Sequence, residues 1–263
     1  ELINGLGEEV LRCQETLGFT PAVHRALDHI SRLCTRHLAR TDVAAATVAE
    51  LCTQWVACLR RLKRDGGYSQ QHVTRLGELL RVLHQKWSED DLLTTGLSAS
   101  SANIQLHGEL SDDELRAWAE FKKELSKMFK NITQLEPELV AQYIIQLMPQ
   151  LPDLIRKSSS NDGYKAQSEL AGLLNMFYLM AEALQPEVLK NNVKFFMQVL
   201  ATLTEHHVDQ LTQRTVATQY FEIASRCSRL LASQPSSPEH HQLIGAILTA
   251  FLSPQSGIRS PLP

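Results

Sequence analysis

At 263 residues the chain has length for one or two ordinary domains, and its 43% hydrophobic residues are enough for a large buried core. Its 26 Lys and Arg nearly balance 29 Asp and Glu, so no global field marks a nucleic-acid or membrane protein and any charge signal must be local. No apolar run reaches the roughly 18 residues that a bilayer-spanning helix needs, so no membrane role is expected.

From the N-terminal side, Ala26, Leu27, Ile30, Leu33, Cys34 and Leu38 recur at helical spacing after the start signal Thr20-Pro21. Val48, Leu51, Cys52, Trp55, Leu59 and Leu62 follow Thr41-Asp42, and Val73, Leu76, Leu80, Leu83 and Trp87 continue the pattern. Residues 89–110 are rich in Ser, Thr, Gly and Asn and are expected to form a long, largely mobile loop. Beyond it, Ser111-Asp112-Asp113-Glu114 opens a helix carrying Leu115, Trp118, Phe121, Leu125, Met128 and Ile132. Val140, Tyr143, Ile144 and Leu147 predict the next helix. Leu170, Leu173, Leu174 and Phe177 predict another after Asn161-Asp162, and Leu189, Phe196, Leu200 and Leu203 one more after Gln185-Pro186. Ala217, Tyr220, Phe221 and Ala224, and finally Ile244, Ile247, Leu248 and Phe251 after Ser237-Pro238, complete the series. No alternating run bounded by turn residues suggests a strand, so the fold class is all-α.

Paired in succession, these helices have first members starting near residues 21, 68, 136, 186 and 238. Two-helix units at about 40–50 residues are the mark of a HEAT-type α-solenoid, in which each unit buries its apolar face on its neighbours. The expectation is a single run of about five such repeats over 1–263, the first and last incomplete. A compact helical bundle is the rival. The apolar face of 243–252, followed by Gly257-Ile258-Arg259, reads as the first helix of a repeat whose partner is missing. The fragment is expected to be monomeric, with end-to-end contacts through exposed terminal helices.

Catalytic signatures such as GxGxxG, HExxH and GxSxG are absent, so neither an enzyme nor a cofactor or metal site is expected. His206-His207 and His240-His241 lack zinc spacing and read as cap or surface residues. Asn131-Ile132-Thr133 matches a glycosylation sequon but sits in a helix. The odd set Cys13, Cys34, Cys52, Cys58 and Cys227 has no CxxC spacing and predicts buried, reduced thiols of an intracellular protein.

Positive charge is clustered. Arg60, Arg61, Lys63 and Arg64 end one second-member helix, and Lys122, Lys123, Lys127 and Lys130 lie along another. In a solenoid, second members line the concave wall, so both clusters are candidate contacts to the phosphates of an enclosed polyanion. Arg25, Arg32, Arg36 and Arg40 lie on a first member and read as solvent-facing. Residues 89–124 hold nine acidic and three basic side chains, and Glu109, Asp112, Asp113 and Glu114 are candidates for an acidic regulatory or partner loop. A solvated helix face is the plain alternative for each cluster.

Several stretches resemble the tRNA exportin (exportin-t) family of the importin-β, or karyopherin, superfamily. They are Leu2-Ile3-Asn4-Gly5-Leu6-Gly7, Ala26-Leu27 with Ile30, Phe121-Lys122-Lys123-Glu124-Leu125 with Glu136-Pro137-Glu138-Leu139, and Leu179 to Leu184. Tyr220-Phe221-Glu222 with Arg226, then Ile247 to Leu252 and Gly257-Ile258-Arg259, follow in the family's order. Arg226-Cys227 departs from the Arg-Tyr expected there. The resemblance implies the central repeats of a nuclear export receptor that binds mature tRNA cooperatively with Ran-GTP and shuttles between nucleus and cytoplasm. It also implies Ran contacts mostly through other repeats, and nucleoporins as further candidate partners. A karyopherin with protein cargo, or a non-transport α-solenoid scaffold for protein–protein interaction, is the alternative.

Overall fold

A computed structural model describes residues 2–39, 45–98, 112–158, 164–184, 193–208, 214–233 and 238–252. Among them nearly every residue is helical and none lies in a strand. In chain order the helices are α1 (Leu2–Leu17), α2 (Pro21–Leu38), α3 (Ala45–Arg64), α4 (Gln70–Ser98), α5 (Asp112–Leu135), α6 (Pro137–Leu147), a 3-10 turn (Met148–Gln150), α7 (Leu151–Ser158), α8 (Tyr164–Ala183), α9 (Val193–Glu205), α10 (Arg214–Ser233) and α11 (Pro238–Leu252). The chain divides into two compact units, residues 1–86 with 99–140, and 87–98 with 141–263.

One boundary differs from the sequence reading, and one helix is added to it. The expected 89–110 loop begins later, because α4 stays helical through Ser98. Leu92, Leu93 and Leu97 keep helical spacing there, and one helix-interior glycine, Gly96, weakens a helix by only about 1 kcal/mol. The helix after Glu136 ends at Leu147 as expected, and Pro149, whose ring and missing N–H cannot continue an α-helix, separates it from α7, which the apolar spacing did not mark. The expected starts at Pro21 and Pro238 stand, and the one at Gln185-Pro186 lies outside the described residues.

In the first unit, Thr20 accepts from the Val23 amide and Pro21 follows at the first helical position, so α2 starts where the sequence directs. The α3 end is a Schellman turn. Gly66 takes the left-handed φ of 77°, which needs no Cβ, and the Gly67 amide bonds back to the Leu62 carbonyl at 3.0 Å.

Contacts between alternate helices advance in the same direction. From α1 to α3, Gly7 lies on Leu51, the Cys58 thiol donates to Gln14 Oε1 at 3.4 Å, and Glu15 reaches Arg61. From α2 to α4, His24 meets His72 and Asp28 meets Arg75. From α3 to α5, Arg60 reaches Asn131 and Lys63 reaches Glu136. α1, α3 and α5 are therefore parallel in one row and α2 and α4 in another. This arrangement is compatible with a helical solenoid. Leu59 and Leu62 of α3, Leu76, Leu79, Leu80 and Leu83 of α4, and Leu125, Met128, Phe129 and Ile132 of α5 are fully buried.

In the second unit α8 lies at the centre and is apolar around most of its circumference, as a helix packed on several sides must be. It packs on α7 and α10, and Phe177 meets Phe195 and Phe196 of α9 with ring centroids 5.7 and 5.1 Å apart. Tyr220 of α10 is fully buried, its hydroxyl 2.7 Å from Thr204 Oγ1. Gly172 of α8 abuts the α4 backbone, where an added Cβ would stand 3.1 Å from the Ser88 nitrogen.

Candidate polyanion-binding face

The cation cluster that ends α3 divides into two pairs. Arg60 directs one guanidinium nitrogen at the Asn131 carbonyl (3.3 Å), Asn131 Oδ1 (3.0 Å) and Gln134 Oε1 (2.6 Å) of α5. Lys63 donates to the Leu135 carbonyl at 2.9 Å and Glu136 Oε1 at 2.7 Å, and its ammonium lies 5.3 Å from the centre of the Tyr68 ring. Both carbonyls lie in the last turns of α5, toward the negative end of the dipole, and that of Leu135, the final residue, lacks an intrahelical donor. Burial pushes the Arg60 guanidinium below its ordinary range, though it stays charged at neutral pH. Arg60 and Lys63 thus brace two parallel helices.

Arg61 and Arg64 point outward and are exposed. Arg61 lies 3.6 Å from Glu15, a pair in which both side chains are about half exposed. Arg64 makes no ion pair among the described residues. An open cleft of about 560 Å³ is lined by Ala57, Arg60, Arg61, Lys63, Arg64, Gln134 and Leu135. Gln134, which carried no charge to flag it in the sequence, joins the cleft to the second cluster. It stands seven residues after Lys127 and eleven after Lys123, so all three share one stripe of α5. The buried face of α5 is formed by Phe121, Leu125, Met128 and Ile132, opposite that stripe.

Along the stripe, Lys123 pairs with Glu120 and Lys127 with Glu124, each at 3.3 Å, with the two lysine side chains 72% and 60% exposed. The Lys123–Glu120 pair, exposed on both sides, contributes about 0–1 kcal/mol, weak enough for a phosphate to displace the carboxylate, whereas Glu124 is only 22% exposed. The two glutamates nevertheless halve the local positive field, and their i,i+3 spacing was visible in the sequence. Lys122 turns to the flank, its ammonium 5.9 Å from the Trp118 ring centre, and Lys130 is half-buried. The exposed Arg61 and Arg64 thus line the cleft, and Gln134 at its edge begins the α5 stripe that carries the exposed Lys123 and Lys127, while Arg60, Lys63, Lys122 and Lys130 are engaged with neighbouring groups or half-buried.

Among the acidic candidates, Glu109 lies outside the described residues, as do the side chains of Asp112 and Glu114. Asp113 is exposed and 3.9 Å from Arg116. Arg25 and Arg36 of α2 are exposed, Arg32 pairs with Asp28 at 2.8 Å, and Arg40 lies outside the described residues. In the sequon, Asn131 is held by Arg60, and the fully buried Thr133 donates its hydroxyl to the Phe129 carbonyl, so both side chains are engaged within the fold. His207 ends α9 with a left-handed φ of 54°, and no set of three metal-binding side chains exists among the described residues. None of the five cysteines is in a disulfide, and burial pushes the Cys227 thiol up to about 12.

The fold and this face define an all-helical protein with two rows of parallel helices in its first unit and an exposed basic strip along one row. No protein family, no curated protein and no solved structure matches the chain.

Proposed function

We propose that the chain is part of a HEAT-type α-solenoid transport receptor of the tRNA exportin kind, carrying mature tRNA with Ran-GTP from nucleus to cytoplasm. The observation that carries this reading is the cleft lined by the exposed Arg61 and Arg64, whose Gln134 edge continues along α5 as the stripe of exposed Lys123 and Lys127. Cations spaced along an extended wall suit a ligand read by its phosphate backbone and shape, with little contact to base edges, as a receptor for every tRNA requires. The resemblance of five collinear stretches supplies the identity of the cargo and of Ran.

The test is tRNA binding by the protein that carries this chain, with and without Ran-GTP. Tighter binding with Ran-GTP supports the reading, and equal binding removes it. With four phosphate contacts, the affinity of this face should fall about 150-fold between 50 and 200 mM salt, from a slope of about −0.9 per contact. Replacing Lys123 and Lys127 by alanine should halve that slope, and an unchanged slope removes both from the face. Glu120 and Glu124, which neutralise half of the strip, favour a second reading as a scaffold for protein partners. That scaffold would show no tRNA preference at either salt concentration.

A further inference from the structure

The turn into α4 carries an unusual helix start. Ser69 precedes the helix, and three residues later, where a capping box holds Glu or Gln, stands His72. Its Nδ1 accepts from the Ser69 backbone N–H at 3.0 Å and lies 3.0 Å from Ser69 Oγ. An imidazole accepts at Nδ1 only when neutral, with its proton on Nε2. The same ring stacks on Tyr68 (centroids 5.4 Å, planes 17° apart) and faces His24 of α2 at 6.3 Å, itself backed by Phe19 at 5.5 Å. One imidazole thus closes the start of α4 and joins it to α2.

We propose that Ser69, His72 and His24 form a pH-sensitive latch that fastens the start of α4 to α2 when His72 is neutral and releases it when His72 is protonated. A proton on Nδ1 sets it against the Ser69 backbone N–H and ends that bond, leaving the ring only the Ser69 hydroxyl, which can accept as well as donate. It also places positive charge in the first turn of α4, at the positive end of the helix dipole and opposite His24. The other charged groups nearby do not compensate. Asp28 of α2 favours the protonated ring, but it already accepts from Arg75 at 3.4 Å and Arg32 at 2.8 Å. Lys63 of α3, over the Tyr68 ring, is paired with Glu136. Tyr68 is pushed well above the ordinary phenol range, first by burial and then by Glu136, so it stays neutral. Burial first, and His24 second, hold His72 below the ordinary histidine value.

The test is hydrogen exchange of residues 66–76 in the full chain, corrected for the intrinsic pH dependence of exchange. On moving from pH 7.5 to 5.5 the wild type should exchange about tenfold faster there, as expected for local opening. His72→Gln keeps an acceptor that does not titrate and should change less than about twofold. Equal responses of the two proteins, or none in the wild type, overturn the latch. The NMR titration of the His72 ring gives a second measurement that needs no variant. A midpoint clearly below 6.5 is expected, and one at or above 6.5 overturns the proposal.

Discussion

Alanine at Arg60 and alanine at Arg64 should have opposite consequences, although the two residues are neighbours at one helix end. The Arg60 guanidinium is half-buried and serves three oxygens of α5, two of them within 3.0 Å. Hydrogen bonds to a charged group contribute about 1.5–3 kcal/mol each when well shielded. Partial exposure and the sharing of one nitrogen among three acceptors reduce the sum, so Arg60→Ala should cost about 2 kcal/mol. For a domain of this size that is about 4–8 °C in the melting midpoint. Arg60→Lys keeps the charge but not the planar reach, and should recover less than half of the loss. Arg64→Ala, at an exposed site without an ion pair, should stay within about 0.5 kcal/mol of wild type. Thermal and urea unfolding followed by circular dichroism measure all three. Binding of tRNA at low temperature, where each variant is folded, should be weakened by Arg64→Ala. If Arg60→Ala leaves stability unchanged, or Arg64→Ala lowers it equally, the division of the cluster into braces and contacts is wrong.

Gly172→Val should destabilise the second unit by about 2–3 kcal/mol, because the new Cβ would stand within 3.1 Å of the Ser88 nitrogen and its methyls would overpack the α4–α8 crossing. Gly77→Ala in α4, where nothing lies within 4 Å of the added carbon, should instead stabilise by about 0.5–1 kcal/mol; equal midpoints for the two variants would contradict the packing. Stability should also fall with acidification, since burial lowers the folded-state values of both His72 and His84. The unfolded chain then takes up protons first, so this stability is complete above pH 6.5 and is lost as pH drops from 6.5 through the folded-state values. The urea midpoint should be lower at pH 5.5 than at 7.5, and His84→Gln should flatten the difference; a midpoint that rises on acidification would contradict both assignments.

The helices were legible because their apolar faces and start signals agree. Thr20-Pro21 places the cap and first residue of α2, and the spacing from Phe121 to Ile132 gives the buried face of α5. The far end of α4 was not, because Ser, Thr and Gly read as loop composition while Leu92, Leu93 and Leu97 still fit a helix. The site was legible only as clusters. Helical spacing shows that Lys123 and Lys127 share a face, but not that Gln134 carries that face into the α3 cleft. The roles of Arg60 and Lys63 depend on carbonyls 71 and 72 residues away, which sequence spacing cannot bring together.

The similar offsets from α1 to α3 and from α2 to α4 bear on how such a chain can change over time. Gly7 meets Leu51, Gln14 meets Cys58, His24 meets His72 and Asp28 meets Arg75, each partner lying 44 to 48 residues on. Deleting a single residue inside α3 would rotate everything beyond it by about 100°, swinging Arg60 and Lys63 away from α5. Inheritance should therefore tolerate length changes in the turns and resist them within helices.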